Sequence, residues 1–130
     1  MTGLLDRIMN ALANNCIVES GTNNLWKYKK YADGTYEATY TKQHTQFNVA
    51  AGPSTGEYYS GDLLIAARPS FAKTVDGALG TPFAGSMTSG PRVYRITVDS
   101  NNDVRVQFRT QSSVTNASTQ VAYKMWGTWK

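Results

Sequence analysis

The chain is predicted to be mainly β, an antiparallel β-sandwich of jelly-roll-like type forming a knob behind one short N-terminal α-helix. Three observations predict this. Helical spacing of apolar residues is confined to the segment up to Asn15. After Gly21 apolar residues recur at every second position, and turn residues (Asp33-Gly34, Gly52-Pro53, Ser100-Asn101-Asn102) punctuate the runs. A chain of 130 residues organised in this way makes one sandwich or barrel domain with its own core. The expected division is a helix and linker over 1–20 and the β-sandwich knob over 21–130.

Leu5, Ile8 and Leu12 fall at alternating three- and four-residue steps, Met1 and Asn15 continue the phase, and Leu4 and Met9 widen the stripe. That spacing predicts a helix over residues 3–15. Thr2 is the candidate N-cap, Asp6 lies near the positive end of the dipole, and Asn14-Asn15 is the stop. So short a helix is marginal by itself because nucleation is costly. Its Leu5, Ile8, Leu12 seam therefore packs either on its own domain or on the same seam of sister copies.

Two hairpins follow from alternation and turn chemistry. Leu25 to Tyr31 and Thr35 to Thr41 flank Asp33-Gly34, and a two-residue loop there pairs Lys30 with Glu37, Tyr31 with Tyr36 and Lys27 with Tyr40. Trp26, Tyr28 and Lys30 then share a face with Glu37, Thr39 and Thr41. In the second hairpin, Tyr94, Ile96 and Val98 are expected beside Val104, Val106 and Phe108 on an apolar face, with Arg95, Arg105 and Arg109 opposite. Further strands are expected at Gln46 to Ala51, Glu57 to Ala67 and Thr119 to Trp129. Arg68 to Pro91, rich in Gly, Pro, Ser and Thr, is expected to be a long irregular connection with at most one short strand.

Composition narrows function. One cysteine excludes an intrachain disulfide framework and any multi-cysteine metal cluster, and one histidine removes most histidine-based metal sites. The start of the chain carries neither a basic leader nor a cleavable apolar region, so classical secretion is not expected. No apolar run approaches the ~20 residues of a membrane span, so no membrane insertion is expected. A net charge of +4 is only mildly basic, and Tyr94 and Phe108 are expected on the apolar face rather than among the arginines, so no nucleic-acid partner is expected. No cofactor or metal is expected either.

No catalytic constellation stands out. Cys16, beside Ile17-Val18, reads as a buried inert thiol, and His44 has no sequence-adjacent acid or serine partner. Asp33, Asp76, Asp99 and Asp103 are explained by turns, and Glu37 by a cross-strand lysine. Glu57 and Asp62 remain as a conceivable glycosidase pair, although solvated loop acids are commoner. The Arg95, Arg105, Arg109 face suits phosphate, acidic polysaccharide or a partner subunit, with an ordinary solvated face as the simpler explanation. Tyr58, Tyr59 and Arg68 are the candidate surface residues for glycan binding, and Trp26 with Tyr28 forms a second aromatic group, although core or subunit packing is the commoner use of such rings.

Two stretches carry a resemblance. Gly21-Thr22-Asn23-Asn24-Leu25-Trp26-Lys27-Tyr28-Lys29-Lys30-Tyr31-Ala32-Asp33-Gly34-Thr35-Tyr36-Glu37-Ala38, and the terminal Ala122-Tyr123-Lys124-Met125-Trp126-Gly127-Thr128-Trp129-Lys130, bracket nearly the whole β-domain. Together they resemble the C-terminal knob domains of small tail-fibre or head-fibre proteins of phages and prophages of Gram-positive gut bacteria. The resemblance implies a non-enzymatic virion protein, a homotrimer that joins other capsid or tail proteins and binds host surface glycans. Here the knob stands behind one short helix, which favours a compact spike with the helices as its base. A free carbohydrate-binding module, using Trp26 or Tyr58 and Tyr59, is the alternative.

Overall fold

A computed structural model describes residues 2–14, 16–54, 56–84 and 92–130; the side chains of residues 2, 11–14, 51, 53, 54, 83 and 84 lie outside that description. In chain order the elements are α1 (Thr2–Asn14), β1 (Ile17–Asn23), β2 (Trp26–Tyr31), β3 (Thr35–Val49), β4 (Ala51–Ser54), β5 (Glu57–Tyr59), β6 (Leu63–Ala66), β7 (Gly77–Ala84), β8 (Arg92–Val98), β9 (Val104–Thr110) and β10 (Val114–Thr128). The protein is mainly β and antiparallel with one helix at its N-terminus, as expected. One sheet has the order β1-β2-β3-β10-β7. In the other, β8 lines one side of β9, β5 and β6 lie end to end along its other side, and β4 flanks β5.

The core lies between the sheets. Trp26, Tyr36, Val49, Val104, Val106, Phe108, Val121 and Met125 are all buried, and along β9 burial alternates with the two-residue period of a strand. Phe47 of β3 stacks on Phe108 of β9 with ring centroids 4.9 Å apart, tying one sheet to the other. β3 and β10 pair over nearly their full lengths. Their ladder shifts by one residue at Thr45–Gln46 and shifts back at Thr115–Asn116, where Gln46 (φ 56°) and Asn116 (φ 53°) adopt left-handed backbone. The two bulges cancel, so β3 continues as one strand where two were expected.

The first hairpin forms, but its register differs from expectation. Lys30 pairs with Tyr36, Lys29 with Glu37, Tyr28 with Ala38 and Lys27 with Thr39. Gly34 N–H donates to the Tyr31 carbonyl at 3.0 Å and Gly34 takes a φ of 95°, which makes a three-residue Ala32-Asp33-Gly34 loop rather than a two-residue one. One extra loop residue moves the pairing by one and changes which residues share a face. Trp26, Tyr28 and Lys30 therefore line up with Tyr36 and Ala38 toward the core, and Glu37 points outward to Lys124 at 3.2 Å. Lys30 is held among rings, its ammonium 4.5 Å from the Phe71 centroid and 5.1 Å from Trp129, while Glu19 sits 2.7 Å away.

Further differences concern the sheet edges. β1 begins at Ile17, inside the segment read as linker, and as the outermost strand it is exposed on both faces. Cys16, expected to be buried, is exposed. Asp6 lies beyond the first turn of α1, which carries no acid, while Met1 and Asn15 fall outside the described residues. β4 occupies part of the expected Gly-Pro turn, and Ser60 to Asp62 divide Glu57 to Ala67 into β5 and β6.

β7 is an eight-residue edge strand, longer than the one short strand allowed for in a stretch expected to be otherwise irregular. Its glycines disguised it. The Trp126 ring lies over Gly77, where a Cβ would stand 2.2 Å from Trp126 Cζ2. Pro82 is tolerated because, among the described residues, β7 pairs only with β10.

Candidate functional site

The outer face of the second sheet gathers the most distinctive surface chemistry. Tyr59 of β5 pairs with Arg109 of β9, and Arg109 pairs with Arg92 of β8, so the three side chains form a row across three strands. Beside them a bulge between Val93 and Arg95 gives β8 an extra residue, Tyr94. Tyr94 was expected on the apolar face with Ile96 and Val98. The bulge breaks that alternation, leaving Val93 and Ile96 to pack against the core while Tyr94 and Arg95 both turn outward. The Tyr94 ring, 48% exposed, meets Tyr59 at 4.7 Å between centroids with the planes 52° apart.

Charge across this face is unevenly balanced. Arg105 donates to Asp99 at 2.9 Å, which holds the Asp99 carboxyl below its ordinary pKa, and Arg95 stands 3.9 Å from Asp62. Arg92 and Arg109, directly opposite one another, have no ion pair among the described residues. Like charges facing across a ladder destabilise it. Glu57 lies on the same side of β5 one step beyond Tyr59 and has interactions of its own.

The sequence-predicted surface residues divide. Tyr59 belongs to the outer row, but Tyr58 turns inward, half-buried and packed against the core. Arg68 is structural: its guanidinium donates to the Ala72 carbonyl at 3.0 Å and its backbone N–H to Asp103 at 2.9 Å, which shapes the turn before β7. Trp26 is fully buried, with Nε1 donating to the Ala67 carbonyl, so it has no face to offer a sugar. Arg92 and Tyr94 were missed. Their trace in the sequence is the three-residue step between apolar Val93 and Ile96, which interrupts period two.

His44 lies within β3. It is buried against Phe108, its Nε2 2.7 Å from the Tyr123 hydroxyl, and burial with nearby Lys42 lowers its pKa from 6.5 to about 4. Burial likewise raises the pKa of Tyr123. An open cleft of about 510 Å³ borders His44, lined also by Lys42, Phe47, Gly61 and Leu63. Lys42 spends its ammonium on the Leu64 and Ile65 carbonyls, at 3.2 and 2.8 Å. An imidazole so hard to protonate is a weak base, and its hydrogen-bond partner is a phenol rather than an acid. Glu57 and Asp62 are both exposed. Among the described residues no group of three or more His, Cys, Asp or Glu can hold a metal ion, and no helix is long and apolar enough to cross a membrane.

Residues 3–10 of α1 are all exposed, with Leu4 and Leu5 showing 66% and 60% of their surface and Ile8 49%. The stripe does not fold against its own sandwich over these residues. The Leu12 side chain lies outside those described. Ile17 and Val18, just beyond the helix, are also exposed.

No family model, no curated protein and no solved structure matches the chain.

Proposed function

We propose that the protein is a non-enzymatic structural appendage of a phage virion, a homotrimer of β-sandwich knobs joined through their N-terminal helices and facing host surface glycans. The observation that carries this is the exposed Leu4, Leu5, Ile8, Met9 stripe on a helix of thirteen residues, continued by Ile17 and Val18. A helix this short needs tertiary or quaternary packing to persist. Sister copies are the fitting partner, because three equivalent seams cover one another in a closed arrangement. A membrane surface fits less well: between Leu4 and Asn10 the polar face offers one acid and one base, Asp6 and Arg7, instead of a run of lysines and arginines. The resemblance of the two bracketing segments to phage fibre knobs supports the virion setting. Capsid or tail genes are expected beside its gene, and a metabolic cluster there would count against the virion.

Light scattering tests the assembly. A mass three times that of one chain is expected at micromolar concentration. Leu5→Asn together with Ile8→Asn should release monomers that keep the far-ultraviolet signature of the sandwich. A wild-type monomer under the same conditions refutes the assembly.

A further inference from the structure

We propose that the outer face of the second sheet, built on Tyr59, Tyr94, Arg92 and Arg109, is a binding site for an acidic saccharide. Resting on the knob's proposed role toward surface glycans, the proposal names the site and the ligand class. Each structural oddity of this face has a use in such a site. The bulge in β8 turns two consecutive side chains, Tyr94 and Arg95, to the same side, and bulges are a common means of re-aiming a side chain. The Tyr59 and Tyr94 rings, tilted against each other at 4.7 Å, present aromatic surface for the apolar face of a sugar ring. Next to them, Arg92 and Arg109 stand opposite one another without an acidic partner among the described residues, at a cost to the sheet.

A carboxylate, sulfate or phosphate on the sugar relieves that repulsion. Guanidinium groups can take such an anion through paired N–H donors. The acids within reach do not cancel the site: Asp99 is engaged with Arg105, Asp62 lies by Arg95, and Glu57, on the same side of β5 as Tyr59, has interactions of its own. Rings and guanidinium groups together select a charged sugar over either a neutral sugar or a bare anion. The site lies on paired strands rather than on loops, so little ordering is needed on binding.

Calorimetric titration of the whole chain tests this with dextran sulfate, polygalacturonate and phosphorylated mannan oligosaccharides, against neutral dextran, sodium sulfate and an oligothymidylate. At least one charged oligosaccharide should bind ten-fold or more tightly than neutral dextran, sulfate or the oligothymidylate, and the three charged probes identify the preferred anion. Tyr94→Ala and Arg109→Gln should each weaken that binding ten-fold or more, while Arg109→Lys, which keeps the charge but loses the fork, falls between. Undiminished binding by Tyr94→Ala, or equal affinity for the oligothymidylate, would make the face a general anion exchanger and overturn the proposal. Absence of binding to all three charged oligosaccharides would overturn it too. The mass of every variant is recorded, so a trimer that binds no saccharide refutes the site alone, and a monomer that binds one refutes the assembly alone.

Discussion

Mild acid should weaken the fold through one side chain. His44 is buried, and its pKa falls from 6.5 to about 4 because its charged form loses hydration and faces Lys42. The folded protein therefore holds a neutral imidazole at pH values where the unfolded chain already binds a proton. Stability is complete above pH 6.5 and declines as pH drops toward 4, since the unfolded state gains protons first. Each pH unit below 6.5 costs ~1.4 kcal/mol, so the loss reaches ~2 kcal/mol at pH 5 and approaches ~3 kcal/mol near pH 4. The carboxylates stabilised by folding, Glu19, Glu37, Asp33 and Asp99, have pKa values below their ordinary 4.5 or 3.8, so their contribution is lost only at still lower pH. The interval from pH 6.5 to 5 thus isolates the histidine. Urea unfolding followed by tryptophan fluorescence at pH 7, 6, 5.5 and 5 measures the slope, with His44→Gln as the comparison because a carboxamide can still bond the Tyr123 hydroxyl. The wild type should lose ~2 kcal/mol across this interval and the variant almost none. Equal slopes in the two proteins would refute the assignment of a buried, neutral imidazole.

Two other substitutions probe packing and charge. Gly127→Ala would place a Cβ 2.1 Å from the Thr74 carbonyl oxygen and 3.1 Å from the Tyr36 ring. Thr74 is tied to Thr128 through its backbone N–H and its hydroxyl, so the strap cannot retreat without losing bonds. Chemical denaturation should show a loss of ~2–3 kcal/mol, in the range of overpacked cores. Arg92→Thr should instead stabilise the unliganded protein by a few tenths of a kcal/mol, because it removes a like charge opposite Arg109. The gain should shrink as salt screens the pair, which melting at low and high ionic strength reads directly.

Much of the architecture was legible in local pattern. The stop of α1 at Asn14, the existence of both hairpins and the inward Val121, Tyr123 and Met125 of the last strand all follow from periodicity and turn residues. Less of the candidate site was legible. Arginines at 95, 105 and 109 were readable as an outer face, and Tyr59 as a surface aromatic. Tyr58 and Arg68 were read as surface residues, and Trp26 was left open between core and sugar contact, because sequence spacing does not report which neighbour closes over a side chain. β7 was obscured because its Gly77 and Gly80 make room for the Trp126 and Tyr123 rings of β10, distant in sequence.

Periodicity, turn chemistry and composition by themselves determine a mainly antiparallel β domain behind an amphipathic helix. Only the tertiary structure decides phase: one extra residue in the Ala32-Asp33-Gly34 loop resets the first hairpin, and one in β8 turns Tyr94 from core to surface. Alternation is a property of each strand, but the face that becomes core is chosen where strands far apart in the chain meet. A single inserted residue reverses that choice while leaving the composition and most of the local pattern unchanged.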